Sequence, residues 1–161
     1  MARDEERPVQ QSVLDRLIQN PDAPETPSRL QSVRELKTAV RRDLEWLLNT
    51  RSIAVKPPEP LTELIASVYT YGLPDITSLS ADDVKSRSRL RAMIGESISI
   101  FEPRLTGVEV VDASARVAGA RQMRFVIQAF LKMDPSPERV SFDTVLDLAT
   151  GQYAVKGEAG A

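Results

Sequence analysis

The chemistry open to this chain of 161 residues is bounded first by two absences: it has no histidine and no cysteine. The commonest general base and metal ligand are therefore missing, and disulfides, thiolate chemistry and cysteine-ligated zinc are unavailable. Acid–base work falls to carboxylates, lysines and tyrosines. A glycoside hydrolase needs two carboxyl groups flanking a sugar cleft, one kept protonated by an apolar setting. Glu96 and Glu102 are the nearest candidates. Six positions apart on a helix, they differ by about 240° at roughly 100° per residue and so point to different sides. Arg104, if it faced Glu102, would favour the ionised form, the wrong one for a general acid. The aromatic residues fall mostly in apolar stripes, which leaves little for a sugar-stacking cleft. The residues point away from catalysis and towards a structural role.

Glu102-Pro103-Arg104 is chemically distinctive in another way. Proline fixes the backbone between two opposite charges just where a helix hands over to a sheet, so both side chains start from a rigid base. Arginine's planar fork suits paired contacts with carboxylates. Those contacts lie either within the domain, orienting helix against sheet, or across an interface. Both roles are structural.

The elements that must position these residues follow from periodicity. Pro8, Pro21, Pro24 and Pro27 forbid long regular structure near the N-terminus, although residues 12–18 allow two helical turns. From Ser32 to Asn49, Val33, Leu36, Val40, Leu44 and Leu47 recur at helical spacing, with Asn49 as the stop. After the stiff connector Lys56-Pro-Pro-Glu-Pro60, a second, shorter helix is expected to turn Leu61, Leu64, Ile65 and Val68 inward and to end at Tyr71-Gly72. Leu73-Pro74-Asp75 reads as a turn whose geometry Gly72, Pro74 and Asp75 set, and residues 80–83 have capping-box spacing. A third helix carries Leu90, Met93, Ile94, Ile98 and Phe101 and stops at Pro103. Trp46 is expected in the core.

Beyond Pro103 the period changes from helical to two. Val108 to Val110, Met123 to Leu131, Val140 to Leu146 and Tyr153 to Val155 read as strands, with Asp134-Pro-Ser-Pro137 and Ala149-Thr-Gly151 between the later ones. The expected fold is α+β, with N-terminal helices packed on a C-terminal, mostly antiparallel sheet of about four strands. The expected organisation is a flexible arm over residues 1–30, one domain over 31–156 and a disordered tail over 157–161. The strand from Gln122 to Leu131 is apolar on both faces, because Val126 and Phe130 oppose Phe125 and Ile127. An open sheet also has two edges, and an assembly subunit can use one by accepting a neighbour's strand.

Composition is ordinary for a globular protein, with 42% hydrophobic and 27% charged residues. No apolar run approaches a membrane span, and Met1 to Arg7 lacks a signal-peptide core, so the expectation is a cytoplasmic protein without membrane insertion. The net charge of −2 argues against nucleic acid as a partner. Arg29 to Lys56 is locally basic, with seven cations against three anions; this is a solvated helix face or a dock for an acidic surface.

Leu48-Asn-Thr-Arg51, Tyr71-Gly-Leu-Pro-Asp75 and Phe101-Glu-Pro-Arg-Leu105, followed by Phe142-Asp-Thr-Val-Leu-Asp147 and Thr150-Gly151, are not demanded by a generic core. In order and spacing they resemble TssE, the baseplate subunit of bacterial type VI secretion systems, which belongs with phage baseplate wedge proteins once labelled lysozyme-like. The resemblance covers roughly residues 12–156. Tyr69-Thr70 departs from the Leu-Asn that related sequences often carry there. The resemblance implies a non-enzymatic wedge component that joins baseplate to contractile sheath, without cofactor. The implied neighbours are TssF, TssG and TssK in the baseplate, and TssB and TssC in the sheath. It marks Glu102, Pro103, Arg104, Tyr71, Gly72, Pro74, Asp75, Asn49 and Arg51 as structural or interface residues. The older label makes a peptidoglycan-type glycoside hydrolase the alternative.

Overall fold

Helical periodicity in the first half of the chain and alternation in the second produce two layers. The computed structural model describes residues 13–18, 29–55, 57–59, 61–76, 83–114 and 121–158. In chain order the elements are α1 (Val13–Leu17), α2 (Arg29–Asn49), a 3-10 helix (Thr62–Ala66), α3 (Val84–Phe101), β1 (Leu105–Asp112), β2 (Gln122–Leu131), β3 (Glu138–Asp147) and β4 (Gln152–Glu158). The four strands form an antiparallel meander in the order β1-β2-β3-β4. This is the expected α+β fold. Among the described residues, regular structure runs from α1 to the end of β4 at Glu158. The N-terminal prolines lie outside the described residues.

One sheet face meets the helices. Met123, Phe125, Ile127, Ala129 and Leu131 of β2 and Val140, Phe142 and Leu146 of β3 are buried against Leu36, Val40, Leu44 and Leu47 of α2 and Leu90, Ile94 and Ile98 of α3. Each of these side chains other than that of Ala129 contributes about 1.5–3 kcal/mol of transfer free energy. α3 lies chiefly over β1 and α2 over β4. On the opposite face, Phe130 remains 47% exposed beside part-exposed Val126, so β2 is two-faced as its sequence suggests.

The segment between α2 and α3 departs from expectation. Instead of an α-helix facing the core, residues 62–66 form a 3-10 helix with no buried residue, and Leu61, Ile65 and Val68 are exposed, Val68 by 92%. Prolines precede it, it is too short to offset the cost of helix nucleation, and α2 and α3 already cover the sheet. Leu73 is part of a parallel bridge to Arg51, not a turn: the Ser52 amide donates to the Leu73 carbonyl at 2.9 Å and the Leu73 amide to the Thr50 carbonyl at 2.8 Å. At α3 the N-cap is Asp83 itself, accepting from the amides of Lys85 and Ser86; residues 80–82 of the expected box lie outside the described residues. Trp46 is 52% exposed, with the Arg42 guanidinium 4.9 Å above its ring, because position 46 falls off the buried stripe of α2.

Candidate functional site

The end of α3 sets the geometry of Glu102-Pro103-Arg104. Glu102 is the C-cap, its amide donating to the Ile98 carbonyl at 2.9 Å, and its side chain is buried at 4% exposure. Pro103 follows in the turn and is itself exposed. Arg104 folds back over this turn: its Nε donates to Glu102 Oε1 at 2.6 Å and its Nη2 to Glu102 Oε2. The same Nη2 donates to Asp43 Oδ2 of α2 at 2.6 Å. The pair is thus internal, and through Asp43 it fastens the α3–β1 junction to α2.

The network continues from Asp43. Arg42 donates to Asp43 Oδ1 at 2.9 and 3.0 Å and to Asp15 Oδ1 of α1 at 2.7 Å. Glu102, Arg104, Asp43, Arg42 and Asp15 form one chain of alternating charge across α1, α2 and the end of α3. Burial works against the Arg104 charge, but hydrogen bonds to Glu102 and Asp43 outweigh it and raise its pKa above the ordinary arginine value. The bond to Asp15 likewise raises Arg42. Tyr71 stacks edge-on against Phe101 at 5.2 Å, and burial, followed by the negative charges of Asp43 and Glu102, pushes its hydroxyl above the ordinary range. The Arg104 Nη1 is buried without a hydrogen-bond partner among the described residues.

The remaining marked residues do separate work. Gly72 has φ +110, and a Cβ there would meet the Thr50 carbonyl oxygen at 2.3 Å, so the bridge between residues 50–52 and 71–73 requires glycine. Its carbonyl accepts from Ser97 Oγ at 3.1 Å, tying the bridge to α3. Pro74 and Asp75 are exposed after this bridge, and Arg51 contributes backbone to it while exposing its side chain.

Asn49 acts on the sheet edge. Its Nδ2 donates to the Tyr153 carbonyl and its Oδ1 accepts the Tyr153 amide, both at 2.8 Å. One helical turn earlier, Glu45 Oε1 accepts the Val155 amide at 3.4 Å; one turn before that, Arg41 Nη1 donates to the Val155 carbonyl at 3.0 Å. A polar stripe at positions 41, 45 and 49 therefore occupies the outward backbone groups of β4. The other edge differs. The Ala113 amide pairs with the Arg124 carbonyl at 2.8 Å, so by alternation Val110 and Asp112 direct their backbone groups away from β2. Among the described residues no hydrogen bond to those groups is found.

Several of these partners escaped the sequence argument. Arg41, Arg42 and Lys37 register there only as a basic run, yet Lys37 pairs with Glu138 at 2.6 Å and the arginines are engaged as above. The spacing of 41, 45 and 49 was the available signal. Glu96 is exposed on α3 while Glu102 is buried and held by Arg104, so the two do not flank a common cleft. Among the described residues no three Asp or Glu side chains are grouped to hold a metal ion.

A protein-family model described as baseplate wedge protein gp25 matches residues 34–136, from the first turns of α2 to the loop before β3. No curated protein and no solved structure gives a significant match.

Proposed function

This chain belongs to the family of baseplate wedge protein gp25, and on that premise we propose that it is a non-catalytic structural subunit of a type VI secretion baseplate, joining the wedge to the contractile sheath. TssF, TssG and TssK are its neighbours in this reading, with TssB and TssC on the sheath side. The observation that carries the proposal is the asymmetry of the sheet. The β4 edge is closed by Arg41, Glu45 and Asn49, whereas among the described residues nothing bonds the Val110 and Asp112 backbone groups of β1, which leaves them for an added strand. Glu102-Pro103-Arg104 supports the joint from within, by fixing the angle at which β1 leaves α3.

Hydrogen exchange tests this directly. Addition of the TssB–TssC sheath complex is expected to slow exchange at Val110 and Asp112 and to leave the Tyr153 and Val155 amides unchanged. Unchanged exchange along β1 would remove the strand-addition mechanism. Co-purification with none of the baseplate or sheath proteins would remove the assembly role as well. The glycoside hydrolase alternative predicts release of reducing ends from peptidoglycan; the purified chain is expected to release none.

A further inference from the structure

Along α3, a groove of about 490 Å³ separates the helix from the segment that follows α2. Met93, Ile100 and Phe101 form one wall, and Pro57, Leu61 and Ile65 the other. Leu61 and Ile65 are half exposed, and they belong to the 3-10 segment that turns none of its apolar side chains into the core. A concave cleft of this volume with mostly apolar walls has the usual form of a binding site.

Three features of the walls define the occupant. The described lining residues include two carboxylates, Glu59 and Glu96, and no cation. Backbone groups along the walls are engaged: the Leu61 and Leu64 amides donate within their own turn, Thr70 Oγ1 donates to the Ile65 carbonyl at 2.8 Å, and Gly72 is held by Ser97. None of the described lining residues belongs to a strand of the sheet, so an occupant must satisfy its own backbone, as a helix does. The third feature is length. Residues 93–101 of α3 span about 12 Å at 1.5 Å per residue, matching a partner helix with anchors at i, i+4 and i+7.

We propose that this groove receives a short amphipathic helix of another protein, with apolar anchors at i, i+4 and i+7 and flanking Lys or Arg residues meeting Glu59 and Glu96. The inference does not depend on which assembly the chain serves, nor on strand addition at β1.

The test is a photo-crosslinking amino acid at Leu61 in the full-length chain inside cells, with the crosslinked peptide sequenced by mass spectrometry. The expected product is a peptide of a different protein that carries helically spaced apolar residues and Lys or Arg. Glu59→Lys with Glu96→Lys is expected to lower its yield several-fold while circular dichroism stays unchanged, since both residues are exposed. Crosslinking to residues 1–28 of the same chain, to a second copy or to an acidic or non-helical peptide would overturn the proposal. So would the absence of any product, or a yield insensitive to the charge reversals.

Discussion

Removing the Arg104 guanidinium leaves the buried Glu102 carboxylate without its fork and Asp43 without one of its two arginines. Arg104→Ala is expected to destabilise the domain by about 3 kcal/mol, the low end of the range for breaking a buried pair because Arg104 keeps some solvent contact. Urea denaturation measures this, and Arg104→Lys should recover only part, since an ammonium cannot span both carboxylates. Loss of assembly in Arg104→Ala therefore has to be read against its folded fraction. Tyr153 makes a pH prediction. Burial raises its pKa above the ordinary value of 10.0, and its hydroxyl has no hydrogen-bond partner among the described residues. The folded state then resists deprotonation while the unfolded state does not. This contribution is fully present below pH ~10 and is lost above it, by up to about 1.4 kcal/mol per pH unit. Tyr153→Phe should match the parent near neutrality, to within about 1 kcal/mol, and lose less stability in alkaline urea titrations.

At the scale of elements, two joints carry the arrangement of helices on the sheet. The first is the bridge between residues 50–52 and 71–73. Gly72→Ala places a methyl group against the Thr50 carbonyl at a backbone angle that L-residues avoid, and should cost about 3 kcal/mol. A lowered urea midpoint with unchanged m-value is the expected signature. The second joint is Asn49 on Tyr153. Asn49→Ala removes both hydrogen bonds to Tyr153, together with the one from Nδ2 to the Glu45 carbonyl, and the two to the sheet should cost about 2 kcal/mol at roughly 1 kcal/mol each. Amide exchange at Tyr153 should accelerate, while Val155, held by Glu45 and Arg41, stays protected. Equal acceleration at both residues would mean that the three side chains act as one unit.

For the molecule as a whole, the decisive property is that its open sheet presents two unlike edges. A strand with unpaired backbone groups invites pairing with any other chain, and here the α2 side chains prevent this at β4. Opening that edge with Glu45→Ala and Asn49→Ala together is expected to produce concentration-dependent self-association in light scattering. If the doubly substituted chain stays monomeric and folded, the polar stripe has no protective role. Exposed Phe130 and part-exposed Val126 on the outer sheet face add apolar surface beside the β1 edge, where an incoming strand would also find side-chain contacts.

Much of the architecture is written locally. Val33 to Leu47 and Leu90 to Phe101 specify helices because spacing alone puts their apolar residues on one face. The alternation from Met123 to Leu131 specifies a strand, and Pro103 and Gly151 place boundaries through backbone restriction. The match of residues 34–136 to the wedge family is likewise a property of order and spacing. Residues far apart in the chain decided the rest. Leu61 to Val68 has apolar residues that would suit a buried helix, yet it lies outside because α2 and α3 had already covered the sheet. Trp46 was placed outside by the orientation of its helix. The Asp43 that completes the Arg104 fork is 61 positions away, and the Asn49 that closes β4 is 104 positions from Tyr153. Periodicity reports which face of an element is apolar, but a charged or amide side chain acquires its partner only when folding brings distant backbone and carboxylates within hydrogen-bond reach.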